Sequence, residues 1–179
     1  DLLDTASAAE LTRILRDYGE ERFASKIAAA IVRRRDLGGL QGTADLAELV
    51  RGVIPAPARR KGGNPAKRTF QALRIAVNDE LGILERTVPA ALGSLRVGGR
   101  LVIEAYQSLE DRIVKRVLAR GLASTAPIDL PVIPVGSEPR LRALTHGALK
   151  ADDEEIAANP RAKSVRLRAV EVAIPWRES

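Results

Sequence analysis

Residues 100–116 read RLVIEAYQSLEDRIVKR, an apolar run that turns within a few residues into a charged helix. Leu101, Val102 and Ile103 are unbroken by any polar residue, which predicts a strand covered on both faces, as in a parallel sheet. SLEDRIVKRVLARG, from Ser108, predicts a helix. Ser108 and Asp111 have the S-x-x-D spacing of a capping box. Glu110 and Asp111 fall in the first turn, where carboxylates suit the positive end of the helix dipole. Such a corner has two readings. It is either a well-capped helix after a core strand, or a wall of the crevice at the carboxyl ends of the strands, where open α/β sheets bind ligands. On the second reading Glu104, the last outward residue of the strand, joins the corner.

Working outward, APIDLPVIPVGSEP (126–139) is a Pro-punctuated loop and RLRALTHGALKA (140–151) predicts a strand, with His146 in it as a structural residue. DDEEIAANP is a short helix with an acidic start. SVRLRAVEVAI closes the chain as a strand whose alternation slips after Leu167, which predicts a bulge or two-sided burial near Ala169. Trp176 has two readings, a tail anchor or a base-stacking ring.

Upstream of Gly98 the periodicity is helical. SAAELTRILRDYG has Ser7 as N-cap with Glu10 at the capping-box spacing, and an apolar stripe of Leu11, Ile14, Leu15 and Tyr18. EERFASKIAAAIVRRR carries Phe23, Ile27 and Ile31 on one face. TADLAELVRGVI is capped by Thr43 and stopped by Pro55 and Pro57. NPAKRTFQALRIAVNDELGILE has Asn64 as N-cap, Pro65 at the first helical position, and a buried face of Phe70, Leu73, Val77, Leu81 and Leu84. Pro89 is expected to kink or restart this helix.

One or two strands cannot cover a parallel strand on both sides, so 101–103 needs neighbours beyond this sequence. The 179 residues start at Asp1 and include no Met, and a piece of a longer product is expected. Zero cysteines exclude disulfides and thiolate chemistry and fit a reducing cytoplasm. A single His leaves little room for zinc or a histidine-based triad. The net charge of +6 is unevenly spread. Between Leu49 and Asn78 lie Arg51, Arg59, Arg60, Lys61, Lys67, Arg68 and Arg74, with no acidic residue. Such a window suits phosphate contact, against the simpler reading of a solvated helix face.

YGEERFASKIAAAIVRRR, NPAKRTFQALRIAVNDEL, VGGRLVIEAYQSLEDRIVKR and EEIAANPRAKSVRLRAVE stand here in one order and spacing. Together they closely resemble the later, larger part of the bacterial ribosomal RNA small-subunit methyltransferase H family. The resemblance implies transfer of a methyl group from S-adenosylmethionine to N4 of a cytosine in 16S ribosomal RNA, in the cytoplasm, with 16S RNA or the small subunit as partner. It implies an α/β fold: part of a Rossmann-like methyltransferase sheet (96–179) with an all-α insertion (1–95) for RNA recognition. The implied site-adjacent residues are Glu104, Tyr106, Gln107, Ser108, Glu110, Asp111 and Arg112. The implied RNA contacts are Arg59, Arg60, Lys61, Lys67, Arg68 and Arg74, and no metal is implied.

Two positions depart from the family pattern. Gln107 stands where the family has His and cannot take a proton, and Asn64 replaces a His before Pro-Ala. The family's cofactor loops are expected upstream of Asp1, so the chain alone is expected to be inactive. With its neighbours missing, the edge at 101–105 is expected to invite self-association. The alternative to an enzyme fragment is a non-catalytic basic helical module that binds RNA.

Overall fold

The computed structural model describes residues 2–59, 64–127 and 134–176. The chain forms two compact units, Asp1–Glu80 and Leu81–Ser179. This division falls earlier than the 95/96 boundary read from the sequence. Leu81, Leu84, Val88 and Leu92 pack with the sheet of the second unit, and hydrophobic burial decides to which core a helix belongs.

The first unit is helical: α1 (Leu2–Thr5), α2 (Ala8–Asp17), α3 (Ala24–Asp36), α4 (Thr43–Val53), α5 (Ala56–Arg59) and α6 (Lys67–Asn78). Ser7 caps α2 as its spacing predicts, its hydroxyl accepting from Glu10 N at 3.1 Å. The stripes converge as expected, and Leu11, Leu15, Ile27, Ile31 and Val50 are fully buried. Gly19 lets α6 pass close by. A Cβ there would lie 2.7 Å from the Arg68 carbonyl oxygen and 2.8 Å from that of Leu15.

Three helix ends differ from expectation. Gly42, not Thr43, is the N-cap of α4. The helix α6 starts at Lys67 behind Ala66, while Asn64 Oδ1 accepts from Ala66 N at 3.0 Å in the turn before it. An Asn side chain folded onto its own backbone two residues ahead favours a turn over a helix. Asp79, in the left-handed region at φ 50°, ends α6. Val77 is therefore exposed rather than part of a continuous buried face.

The second unit contains α7 (Glu80–Gly93), β1 (Arg100–Ala105), α8 (Ser108–Leu122), β2 (Leu141–Ala143), α9 (Asp153–Ala158), a 3₁₀ turn (Pro160–Ser164) and β3 (Arg166–Val172). Pro89 lies inside α7, which is unbroken from Glu80 to Gly93. The three strands form an antiparallel sheet in the order β1-β3-β2. Ile113, Val114, Val117 and Leu118 of α8 pack on the face that carries Leu101, Ile103, Leu141, Val170 and Val172.

The parallel neighbours expected for 101–103 are not among the described residues. Val102 is 58% exposed, its neighbours are partly covered, and β3 pairs with β1 antiparallel. Three aliphatic residues in a row state that a strand is apolar, but only the layers packed on the sheet state how many faces are covered. No second strand flanks β1 among the described residues. The slip in β3 resolves as two-sided burial of 169–172, with its register to β1 unbroken. On the face away from α8, Glu171 of the central strand binds Arg100 of β1 at 3.2 Å and Arg142 of β2. No helix among the described residues is long and apolar enough to cross a membrane.

Candidate functional site

Because β1 and β2 both run antiparallel to β3, the ends of β1 and β2 and the start of β3 meet at one end of the sheet. Everything the sequence singles out at 104–112 lies there. Glu104 and Tyr106 are exposed, and the Tyr106 hydroxyl reaches the Glu104 carboxylate at 3.4 Å. Gln107, not Ser108, is the N-cap of α8. Glu110 supplies the returning carboxylate, its Oε2 accepting from Tyr106 N at 2.9 Å and Gln107 N at 3.1 Å. The capping arrangement thus runs one residue ahead of the expected Ser108–Asp111 pair.

Asp111, freed from that task, turns to the sheet. Arg168 of β3 grips it with two bonds, Nε to Oδ1 at 2.7 Å and Nη2 to Oδ2 at 3.1 Å. The fork geometry of guanidinium and carboxylate makes this the stronger class of ion pair. The bonds from Arg168 hold the Asp111 carboxyl below its usual range; partial burial opposes them, and the charges of Arg168, Arg166 and Lys115 assist. Arg112 and Ser108 are exposed.

Sequence reasoning missed this gathering of Arg166, Arg168 and Lys115 around one carboxylate. A signal existed: RLR at 166–168 puts two arginines on the same face of a strand. His146 is also at this end of the sheet, in a turn rather than the predicted edge strand. Its turn is held by Thr145, whose hydroxyl donates to the Gly147 carbonyl at 2.9 Å and accepts from Ala169 N at 3.3 Å. Trp176 is a tail anchor, packed on the core of this unit.

The basic window lies in the first unit, and its cations are unequal. Arg59 and Lys67 are exposed. Arg60 and Lys61 fall outside the described residues. Arg68 donates to the Glu20 carbonyl at 2.8 Å, bracing the turn before α3. Arg74 holds Glu80 through Nε at 2.8 Å and Nη2 at 3.0 Å, which lowers the Glu80 pKa. Arg51 sits 4.0 Å from Glu48. Much of the window's charge therefore has internal work.

A cradle for S-adenosylmethionine needs free N–H donors where a strand passes into a helix. At the β1–α8 corner the Tyr106 and Gln107 donors both serve Glu110. Gly98 and Gly99 precede β1, and their N–H groups bond the carbonyls of Val172 and Arg96. The described residues do not by themselves fit the cofactor. They also hold no group of three or more metal-ligating side chains.

The chain is 65% identical over 169 residues to a protein of Beutenbergia cavernae named Ribosomal RNA small subunit methyltransferase H, covering 94% of this chain and 51% of that protein. A protein of the same name from Mycolicibacterium paratuberculosis is 63% identical over 96% of this chain and 44% of its own length. One from Frankia alni is 61% identical over 98% and 54%. The chain thus spans about half the length of the curated relatives it matches. The profile of the MraW methylase family matches residues 1–173, and the chain belongs to that family.

Proposed function

We propose that this chain supplies the helical unit and the terminal sheet elements of an S-adenosylmethionine-dependent methyltransferase that modifies ribosomal RNA in the cytoplasm. The finer reading is N4 of a cytosine in 16S RNA, within a Rossmann-like sheet completed by other parts of the parent enzyme. The observation that carries it is 65% identity sustained over 94% of the chain to a protein named for this activity.

On this reading the cofactor is held outside the matched span, and the chain's own residues position RNA and close the sheet. Methyl transfer to an exocyclic amine breaks the S–CH3 bond, forms the C–N bond and releases one proton from the nitrogen, which water can take, so a Gln at position 107 is no obstacle. The requirement is geometric: nitrogen and methyl carbon about 3–3.5 Å apart and in line, with the base turned out of its stack. Glu104 and Tyr106, exposed at the end of β1, are the corner groups able to meet a base edge. Arg59 and Lys67, with Arg60 and Lys61, contact phosphates, which fixes position rather than sequence.

The test is a chimera in which this chain replaces the matched span of the Beutenbergia cavernae protein, with that native protein as positive control. Mass spectrometry of 16S RNA from treated small subunits is expected to find N4-methylcytidine. A folded, cofactor-binding chimera that transfers nothing to RNA overturns the reading. If the chain still binds RNA in that case, the non-catalytic module takes its place.

A further inference from the structure

The second unit contains a cavity of about 280 Å³ that the corner does not use. It opens between α8, β3 and the turn after β2. Its floor is apolar, formed by Leu118, Leu122 and Val170, and its rim carries Lys115, His146 and Arg168. The volume is just below the usual range of ligand pockets, roughly 300–1,000 Å³, enough for one ring system rather than an extended ligand.

The rim is cationic beyond its internal needs. Asp111 is the acid at hand, and Arg168 alone occupies both its oxygens. The side chains of Lys115 and His146 make no hydrogen bond or ion pair among the described residues. Arg166, next along β3, adds a further positive charge near Asp111. An apolar slot with donors at its mouth suits a ligand with a flat ring and an anionic group several bonds away.

We infer that this cavity seats one nucleotide of single-stranded RNA, with the base over Leu118, Leu122 and Val170 and its phosphate between Lys115 and His146. The inference rests on the proposed RNA substrate and deepens it. It places a phosphate contact in the sheet-bearing unit, in addition to the basic window of the helical one. No Phe, Tyr or Trp lines the cavity, so the base is held mainly by fit and apolar cover, and weak sequence preference is expected.

The test uses the 179-residue chain and three probes: cytidine 5′-monophosphate, cytidine and inorganic phosphate, followed by amide NMR shifts, plus anisotropy of a labelled 12-nucleotide single-stranded RNA. The monophosphate is expected to shift Leu118, Ala119 and Val170 and to bind more tightly than either part. Lys115→Ala and His146→Ala are each expected to weaken it roughly tenfold, the scale of a charge-assisted hydrogen bond. Ala119→Phe, which fills the cavity from an exposed helix position, is expected to abolish the shifts and weaken RNA binding.

Shifts that map elsewhere, inorganic phosphate that binds as well as the nucleotide, or an Ala119→Phe chain with unchanged RNA affinity each overturn the inference. If RNA binding responds to Arg59→Ala and Lys67→Ala but not to these variants, the cavity assignment falls and the RNA reading stands. If the nucleotide binds here and RNA binds nowhere, the cavity is a free-nucleotide site, and the inference and the RNA reading both fall.

Discussion

Gly121 is where the second unit is least tolerant of one added methyl group. A Cβ at this position would lie 2.5 Å from Trp176 Cζ3 and 2.6 Å from Leu141 Cγ and Cδ1, against about 3.5–4.0 Å for a comfortable carbon contact. Two effects oppose each other in Gly121→Ala. Helix propensity favours Ala by up to about 1 kcal/mol, less here because Gly121 is one residue from the end of α8. Overpacking costs about 1–3 kcal/mol, and Leu141 is fixed in β2 while Trp176 is held by the core. The sum is a loss of about 1–2 kcal/mol, or a fall in Tm of roughly 5–10 °C for a unit of this size.

The assay is internal, because Trp176 is the sole tryptophan. Its indole Nε1 is buried without a hydrogen-bond partner, so displacement into water should shift the emission to the red at the same time as stability falls. Gly52→Ala is the control. It sits in α4 with nothing within 4 Å of its added Cβ, and is expected to stabilise by about 0.4–1 kcal/mol. A Gly121→Ala chain as stable as wild type, with unchanged emission, refutes the packing argument.

Thr69, fully buried in α6, has a hydroxyl with no partner; Thr69→Val removes that unmet group and is expected to stabilise the first unit by about 1 kcal/mol, seen as a raised urea midpoint. The Asp111 carboxyl is depressed in the folded state, so its stabilisation is present above the unfolded pKa near 3.9 and is lost as pH falls below it. Denaturation between about pH 5 and pH 2.5 should show this slope in the second unit. Asp111→Asn should flatten it and cost about 1–2 kcal/mol at neutral pH. Replacing Arg59, Arg60, Lys61 and Lys67 by Ala should weaken RNA binding and lower the salt slope by about 0.7 per lost phosphate contact; an unchanged slope removes the window from the RNA surface.

Local signals in the sequence carried far. The stripes of α2 and α3, the Ser7 cap, and the acidic start of α9 are settled by periodicity and by donors a few residues away, and four short blocks sufficed to mark the family. Signals that depend on a partner distant in sequence did not. Leu101-Val102-Ile103 announces an apolar strand, but its pairing partner and direction depend on β3 some seventy residues later, paired antiparallel from Arg100↔Glu171 to Ala105↔Arg166.

Charge shows the same divide. The run from Arg51 to Arg74 is plain in the sequence, yet only folding shows that Arg74 is committed to Glu80 and Arg68 to a backbone carbonyl, while Arg59 and Lys67 stay exposed. At the corner, sequence named Asp111 as a cap. The sheet reassigned it to Arg168, because a carboxylate goes to the strongest donor within reach and Glu110 had already satisfied the helix end. Composition and spacing determine which elements form and which groups carry charge. Tertiary contact decides which of those charges are spent inside the fold and which are left to meet another molecule, since pairing energy depends on distances that no linear spacing encodes.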